Sequence, residues 1–329
     1  MQSLLNDPFH IGPLQLASRL IQGPLAGFSC APFRQLFYQF HPPAYCVSEM
    51  ISAYDVLYKH QVGSRYLYRA PCEAKLCYQL AGVLPAIMAE AAVRLEAIGA
   101  DLIDINCGCP KTKIRKKGAG SALLENPGPL CNIVSAVRRA ITIPLTVKLR
   151  IHGDDRDVAL ARAIVDAGAD ALIVHGRRWT DQYDTPCNMR QIARIKSAVQ
   201  IPVIANGDIA DEATLAHAMA TSGCDAYMIA RAGSGKPWLY QQLLAARDTF
   251  SNISNRVRIN CFTTHLQSLA GLENEHQAVL QSKTLVRYYF GEVLSAQQLQ
   301  FFYTLDNLRE IEKYIPIQLS IQSRVISSH

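Results

Sequence analysis

The chain has 329 residues, of which 49% are hydrophobic and 18% are charged. This is the composition of a globular protein that buries a sizeable core, and it excludes a small scaffold held together by disulfides. The formal net charge of +6 favours an anionic partner without deciding which one.

Eight short apolar segments recur along the first 230 residues, and each predicts a buried β-strand. Their apolar character is nearly continuous, which is typical of parallel strands covered on both faces. The segments span residues 19–25, 45–50, 74–80, 101–106, 144–149, 170–176, 201–207 and 225–230.

Helical patterns lie between several of these strands, at residues 84–100, 129–140, 156–169, 188–199 and 211–223. Gly168 and Gly223 stand where carboxyl-terminal helix caps are expected. Strands alternating with helices over about 240 residues predict an eight-stranded parallel (β/α) TIM barrel. The alternative is an open doubly wound sheet, which the absence of a G-x-G-x-x-G turn disfavours.

The pattern of apolar residues changes after about residue 245, where helical spacing replaces the strand segments. We therefore predict two domains, a barrel over residues 1–245 and a small all-α domain over residues 246–329. Residues 241–329 contain eight Lys or Arg and seven Asp or Glu, so any nucleic-acid binding there depends on where the charges lie.

The ten cysteines include no C-x-x-C pair, so neither a zinc ribbon nor a thioredoxin-type site is predicted, and no metal is expected. We expect reduced thiols and a cytoplasmic location. The first residues lack the pattern of a signal peptide, and no apolar stretch approaches the ~20 residues of a membrane span.

The segment DINCGCPKTKIRKKGAG, residues 104–120, contains two thiols at the end of a predicted strand. Active sites of TIM barrels lie at these strand ends, and the turn singles out Cys109 as a candidate catalytic residue. A thiol there can be a nucleophile, a metal ligand or a proton donor. For Cys107 we favour simple burial, since cysteine packs well in cores.

Five cations follow the thiols, namely Lys111, Lys113, Arg115, Lys116 and Lys117. Each could neutralise one phosphate of a nucleic-acid backbone, whereas a small metabolite would need only one or two. The alternative is a solvated surface loop, which is what most charged runs are.

The later strand ends carry further polar residues. Lys148 and His175 suit a ring that gains negative charge on reduction, although His175 could equally be structural. The segments IPVIANGDI and DAYMIARAG suit a phosphate-binding corner, where Arg231 could pair with a phosphate.

Taken together, these segments resemble the tRNA-dihydrouridine synthase family, flavin enzymes that reduce uridines in the D-loop of tRNA. The most diagnostic segment is DINCGCPKTKIRKKGAGSALLENP, residues 104–127. The remaining matching segments, in order, are residues 23–34, 47–53, 78–82, 144–150, 172–183, 201–209 and 222–239, with SKTLVRYY (282–289) matching more loosely.

The resemblance implies a barrel that binds FMN, NADPH as reductant, and a helical tRNA-binding domain in a monomer. It assigns Cys109 as the general acid and places Asn106 near the flavin and the substrate. Implied flavin contacts are Pro24, Leu25, Ala26, Gln79, Lys148, His175, Asn206, Gly207, Asp208, Ala230 and Arg231. We expect Asn106, by this resemblance, and Lys111, Lys113, Arg115 and Lys116, by their charge, to contact the substrate.

Three positions depart from the family pattern. Leu25 and Cys30 stand where the family often has Met and Asp, and Ala230 stands where Gly is common. Two alternative functions stay open: an FMN-dependent dehydrogenase of the dihydroorotate type, and a non-catalytic tRNA-binding module that aids folding. The cationic run argues against the first, and the intact Cys109, Lys148 and His175 argue against the second.

Overall fold

The computed structural model describes residues 2–245 and 253–326. It consists of an amino-terminal hairpin, a parallel barrel with surrounding helices, and a group of helices towards the carboxyl end. Within these described residues, no helix is both long enough and apolar enough to cross a membrane.

The hairpin follows a short helix, α1 (Gln2–Asn6), and pairs β1 (Phe9–Ile11) with β2 (Leu14–Leu16) in antiparallel fashion. Its buried side chains share an apolar cluster with residues near the amino ends of the barrel strands, such as Leu102 and Ala171. The hairpin therefore closes the barrel at the end opposite the carboxyl ends of the strands. The sequence patterns did not predict it.

The eight predicted strands are present among the described residues. They form a closed parallel barrel, because the last strand, β10 (Ala226–Ile229), pairs with both β9 (Val203–Asn206) and β3 (Leu20–Gln22). The predicted TIM barrel is confirmed, and the open sheet is excluded. Almost every strand residue is buried, which explains the continuous apolar segments. The strands are β3 Leu20–Gln22, β4 Cys46–Ser52, β5 Leu76–Ala81, β6 Leu102–Cys107, β7 Leu145–Arg150, β8 Ala171–His175, β9 Val203–Asn206 and β10 Ala226–Ile229.

Helices cover the outside of the barrel. The five predicted ones correspond to α4 (Pro85–Ala97), α6 (Pro127–Ala140), α7 (Arg156–Asp166), α8 (Met189–Ala198) and α9 (Glu212–Ser222). Gly223 ends α9 with φ of +57°, as a left-handed cap requires, and Gly168 follows α7 with φ of +106°. The helices are α2 Ala31–Arg34, α3 Ala53–Tyr58, α4 Pro85–Ala97, α5 Thr112–Arg115, α6 Pro127–Ala140, α7 Arg156–Asp166, α8 Met189–Ala198, α9 Glu212–Ser222 and α10 Leu239–Leu244.

Residues 253–326 form four helices around a separate apolar cluster, which Cys30 and Trp238 of the barrel also join. The helical tail that the sequence predicted is thus present. The domain boundary predicted between residues 245 and 246 stays a prediction, because residues 246–252 lie outside the described residues. The helices are α11 Asn255–Leu272, α12 Glu275–Phe290, α13 Ala296–Phe302 and α14 Leu308–Ile326.

An ion-pair cluster links the barrel to these helices. Arg65 contacts Glu49 of β4 at 2.6 Å and Glu273, which follows α11, also at 2.6 Å. Arg65 also donates a hydrogen bond to the Gly27 carbonyl oxygen at 2.9 Å. The loop after β3 is therefore fixed against both the barrel and the helical tail.

Candidate active site

Polar side chains gather at the carboxyl end of the barrel. Asn106 lies opposite Lys148 in the β6–β7 pairing, and His175 lies opposite Asn206 in the β8–β9 pairing. Gln79 lies on the neighbouring strand β5. Because adjacent parallel strands end together, these five predicted residues share one end of the barrel, where barrel enzymes carry their catalytic groups.

The candidate acid, Cys109, lies in the turn that follows β6. The side-chain oxygen of Asn106 accepts hydrogen bonds from the backbone N–H groups of Gly108, at 3.3 Å, and Cys109, at 3.0 Å. Cys109 is partly exposed, whereas Cys107 is buried in the barrel core. The turn thus exposes one thiol and packs the other.

Two residues brace the turn from its other side by hydrogen bonds, and a glycine allows the chain to pass close to it. Ser121 donates to the Cys109 carbonyl oxygen through its hydroxyl, at 3.0 Å, and through its N–H, at 3.1 Å. Arg150 donates to the Gly108 carbonyl oxygen at 2.9 Å. Gly120 has φ of +63°, and a Cβ there would approach the Cys109 carbonyl oxygen to 2.7 Å. The sequence analysis did not propose Ser121 or Arg150, because only folding brings them to the turn.

Asp104 is a further residue that the sequence analysis did not assign to the site. Its buried carboxyl accepts hydrogen bonds from the Thr146 hydroxyl and from the Gln79 amide, both at 2.7 Å. The Gln79 oxygen in turn accepts from the Asn106 amide at 2.8 Å. Asp104 therefore sets the orientation of both amides, and through Asn106 it positions the Cys109 turn. The place of Asp104 within DINCGCP was the one available signal.

A cation lies at the same end of the barrel. Lys148 donates to the Asn206 side-chain oxygen at 2.9 Å, and the Asn206 amide donates to the Met228 carbonyl oxygen at 2.8 Å. Burial lowers the pKa of Lys148 to about 8, while the charge of Asp104 opposes that shift. Lys148 is therefore positively charged near neutral pH and available to an anionic ring.

His175 is a neutral hydrogen-bond donor in this structure. Burial, together with the charges of Lys148 and nearby arginines, lowers its pKa to about 2. Its Nδ1 accepts a hydrogen bond from the backbone N–H of Arg177 at 3.2 Å. In the neutral ring the proton therefore resides on Nε2, which leaves that N–H as a donor for a ligand.

A pocket of about 430 Å³ opens at the ends of β8, β9 and β10. Its lining includes six of the predicted cofactor contacts: His175, Asn206, Gly207, Asp208, Ala230 and Arg231. The exposed Arg231 guanidinium lies 3.9 Å from the ring centre of Tyr183. The backbone N–H groups of Asp208 and Arg231 donate to no protein atom in the described part of the chain.

The turn at this pocket presents backbone rather than negative charge. Gly207 has φ of +119° and Asp208 has φ of +54°. The Asp208 carboxylate pairs with Arg177 at 2.6 Å and accepts from the Cys187 N–H at 2.8 Å. A Cβ at Gly207 would overlap the Cys187 sulfur. The corner therefore suits a phosphate, which needs N–H donors and positive charge.

The predicted residues of the first loop, Pro24, Leu25 and Ala26, directly follow β3. The Ser29 hydroxyl accepts from the Leu25 N–H at 2.9 Å and donates to its carbonyl oxygen at 3.2 Å, so this backbone is already paired. Cys30 is only 1% exposed and packs with the carboxyl-terminal helices. Burial raises its pKa to about 11, so a neutral thiol fills the place where the family often has an acid.

The basic loop, residues 111–117, contains two kinds of cation. Lys111, Lys113, Lys116 and Lys117 are exposed, and none has an ion-pair partner among the described residues. Arg115 instead pairs with Glu125, donates to Ser121, and lies 3.5 Å from the ring centre of Trp179. Its guanidinium is therefore largely committed within the protein, whereas the four lysines can meet an external anion.

The family model for dihydrouridine synthase (Dus) matches residues 21–313 of the chain. The chain is 40% identical to tRNA-dihydrouridine synthase B of Pseudomonas aeruginosa over 237 residues, covering 71% of each protein. It is 37% identical to tRNA-dihydrouridine synthase B of Vibrio vulnificus, covering 88% of this chain and 92% of the relative. It is 33% identical to the probable tRNA-dihydrouridine synthase 1 of Synechocystis, covering 89% and 84%.

Solved structures of low sequence identity share the fold. A variant of NCR from Zymomonas mobilis aligns with a TM-score of 0.55 at 15% identity, covering 77% of this chain and 94% of that structure. Histamine dehydrogenase from Rhizobium aligns with a TM-score of 0.55 at 13% identity, covering 81% and 51%. From the family model and the sequence relatives together, we conclude that the chain belongs to the dihydrouridine synthase family.

Proposed function

We propose that this chain is a tRNA-dihydrouridine synthase, which reduces the C5–C6 double bond of a uridine in the D-loop of tRNA. The observation that carries the proposal is the partly exposed Cys109, held on a braced turn at the barrel end that also carries Lys148 and His175. The chain's family and the named activity of its relatives support the same reaction.

The family is flavin-dependent, and we propose FMN as the flavin. Among the described residues that line the pocket at β8–β10, the one carboxylate, Asp208, is neutralised by Arg177. The Arg231 guanidinium and nearby backbone N–H groups would hold the phosphate. Lys148, His175 and Gln79 would hold the polar edge of the ring, with Pro24, Leu25 and Ala26 against it. These donors fit a flat ring that carries a phosphate.

A bound, reduced flavin would be the source of the hydride that carbon 6 of the uracil ring requires. The chain must then deliver a proton to carbon 5. Cys109 donates the thiol proton as the general acid, the electrons of the S–H bond remain on sulfur, and solvent reprotonates the thiolate. Lys148 would stabilise the negative charge of the reduced flavin ring.

The target base lies within a folded RNA and must be turned out to reach Cys109. The exposed lysines Lys111, Lys113 and Lys116 would neutralise backbone phosphates beside the site, with Arg115 in a lesser role. Asn106, whose amide is held by Gln79, would contact the uracil. The helices of residues 253–326 would carry the rest of the tRNA.

We further propose NADPH as the reductant of the flavin. The described residues include no second nucleotide-binding fold, so the nicotinamide would enter the same barrel end. We propose that the enzyme acts as a monomer in the cytoplasm, where its ten free thiols stay reduced.

The experiment compares Cys109→Ala with Cys107→Ala, its matched control. Cys109→Ala should bind FMN and be reduced by NADPH, yet form at least 100-fold less dihydrouridine, within the range expected for a lost general acid. Cys107→Ala should keep most of its activity, since Cys107 is a buried packing residue.

Near-normal product from Cys109→Ala would remove Cys109 from the acid role. A purified protein without flavin absorbance would favour the non-catalytic RNA-binding module. Activity on dihydroorotate and none on tRNA would favour the small-ring dehydrogenase.

A further inference from the structure

A second pocket, of about 700 Å³, lies on the other side of the barrel mouth from the pocket of His175 and Arg231. It is bounded by the end of β4 with α3, by the loop after β5, and by the basic loop that follows β6. The two pockets share no lining residue. The proposed flavin contacts therefore lie outside this pocket, and among its lining residues only Lys111 and Lys113 have been given a role above.

Two exposed aromatic rings lie on α3, the helix that borders this pocket. Tyr54 and Tyr58 lie one turn apart on α3, with ring centres 4.6 Å from each other. They are 62% and 61% exposed, so they add little to the core. Tyr54 lines the pocket itself. An exposed ring of this kind offers a stacking surface for a planar group.

The same pocket is strongly cationic. Lys59, Lys111, Lys113 and Lys117 line it, against a single carboxylate, Asp55, among the described lining residues. Lys111, Lys113 and Lys117 belong to the cationic run that the sequence analysis considered for phosphate binding. Lys59 was not considered there. Proteins that bind single-stranded nucleic acid commonly combine a positively charged groove with aromatic rings on which the bases stack.

The pocket adjoins the turn that carries the candidate acid. Ile114 lines the pocket, and its Cγ2 lies 3.0 Å from the place that a Cβ of Gly120 would occupy. The Cβ of Cys109 lies 3.1 Å from that same place. A nucleotide in this pocket would therefore be the neighbour, along the RNA chain, of a nucleotide whose base reaches Cys109.

We propose that this pocket binds a nucleotide that neighbours the target uridine in the tRNA, with its base stacked on Tyr54 and its phosphate among the lysines. The inference rests on the proposed function, because it needs RNA as the substrate. It assigns Tyr54 as a positioning residue that helps hold the tRNA strand once the target base has been turned out.

The test measures dihydrouridine formation on an unmodified tRNA transcript with Tyr54→Ala, Tyr54→Phe and the wild type. Tyr54→Ala should raise KM for tRNA about 10-fold, as expected for one lost base stack. Its kcat and its NADPH oxidation without tRNA should stay within about twofold of wild type. Tyr54→Phe keeps the ring and should restore the wild-type KM.

A second arm uses transcripts that lack the base on the 5′ or the 3′ side of the target. One of these should raise KM in the wild type, with little further effect in Tyr54→Ala, since both changes remove the same contact. An unchanged KM in Tyr54→Ala, or fully additive effects for both transcripts, would overturn the proposal. A raised KM for NADPH alone would assign the pocket to the dinucleotide and overturn it too. Failure of the wild type to form dihydrouridine would instead refute the proposed function.

Discussion

Replacing Asp104 by Asn should remove one contribution to the pH dependence of the free energy of unfolding. Asp104 is fully buried, and burial raises the pKa of its carboxyl to about 7, while its bonds to Thr146 and Gln79 and the charge of Lys148 oppose the rise. An Asn in its place can accept from the Gln79 amide and donate to the Thr146 hydroxyl. That hydroxyl can then turn to the Ile103 carbonyl oxygen, 3.5 Å away.

The magnitude follows from proton linkage. Between the pKa of an unfolded aspartate, about 3.9, and the folded value, the folded wild type binds more protons than the unfolded chain. Its stability therefore falls as pH rises through this window, by about 1.4 kcal/mol per pH unit from this group. Asp104→Asn lacks the group, so its free energy of unfolding relative to wild type should rise by the same amount per pH unit across this window.

The assay is urea-induced unfolding of both proteins at several pH values from 4.5 to 6.5, where Lys148 stays protonated. Asp104→Ala serves as the contrast, because it leaves two buried donors unpaired at about 1–3 kcal/mol each. Only Asp104→Asn should keep the Gln79 and Asn106 amides oriented and thus keep most of the activity. A difference between Asp104→Asn and wild type that does not change with pH would refute a raised carboxyl pKa.

Three further predictions concern stability. Gly207→Ala should destabilise the protein by about 2 kcal/mol or more and weaken FMN binding, because φ at this position is +119°. The control Gly223→Ala, in open space at φ of +57°, should destabilise it by about 1 kcal/mol. Thermal unfolding and FMN titration compare the two variants. Burial lowers the pKa of His265 to about 3. As pH falls from 6 to 4, the wild type should therefore lose about 1.4 kcal/mol of unfolding free energy per pH unit from this group, and His265→Asn should lack that contribution in urea titrations. Arg34→Met should cost about 3–5 kcal/mol by leaving the buried Glu73 unpaired, and adding Glu73→Leu should recover most of it; no recovery would contradict this account.

The sequence by itself determined the barrel and the end of it at which the polar residues gather. Strands of a closed parallel barrel are covered on both faces, so segments such as 101–106 and 201–207 had to be almost wholly apolar. The polar residues that follow these strands could then lie only at the carboxyl-terminal end. The Cys109 turn and the helix cap at Gly223 were readable for the same reason, because each depends on neighbours within a few residues.

Tertiary structure decided which of these groups contact one another. Arg150 reaches the turn of Gly108 from 42 residues away, and Arg115 stacks on Trp179 instead of staying free. Cys30 is buried by helices more than 200 residues later in the chain. The hairpin strands have three residues each, too few for any periodicity to show. Contacts between distant segments depend on how the elements pack, and a local sequence pattern reports only the burial of its own element.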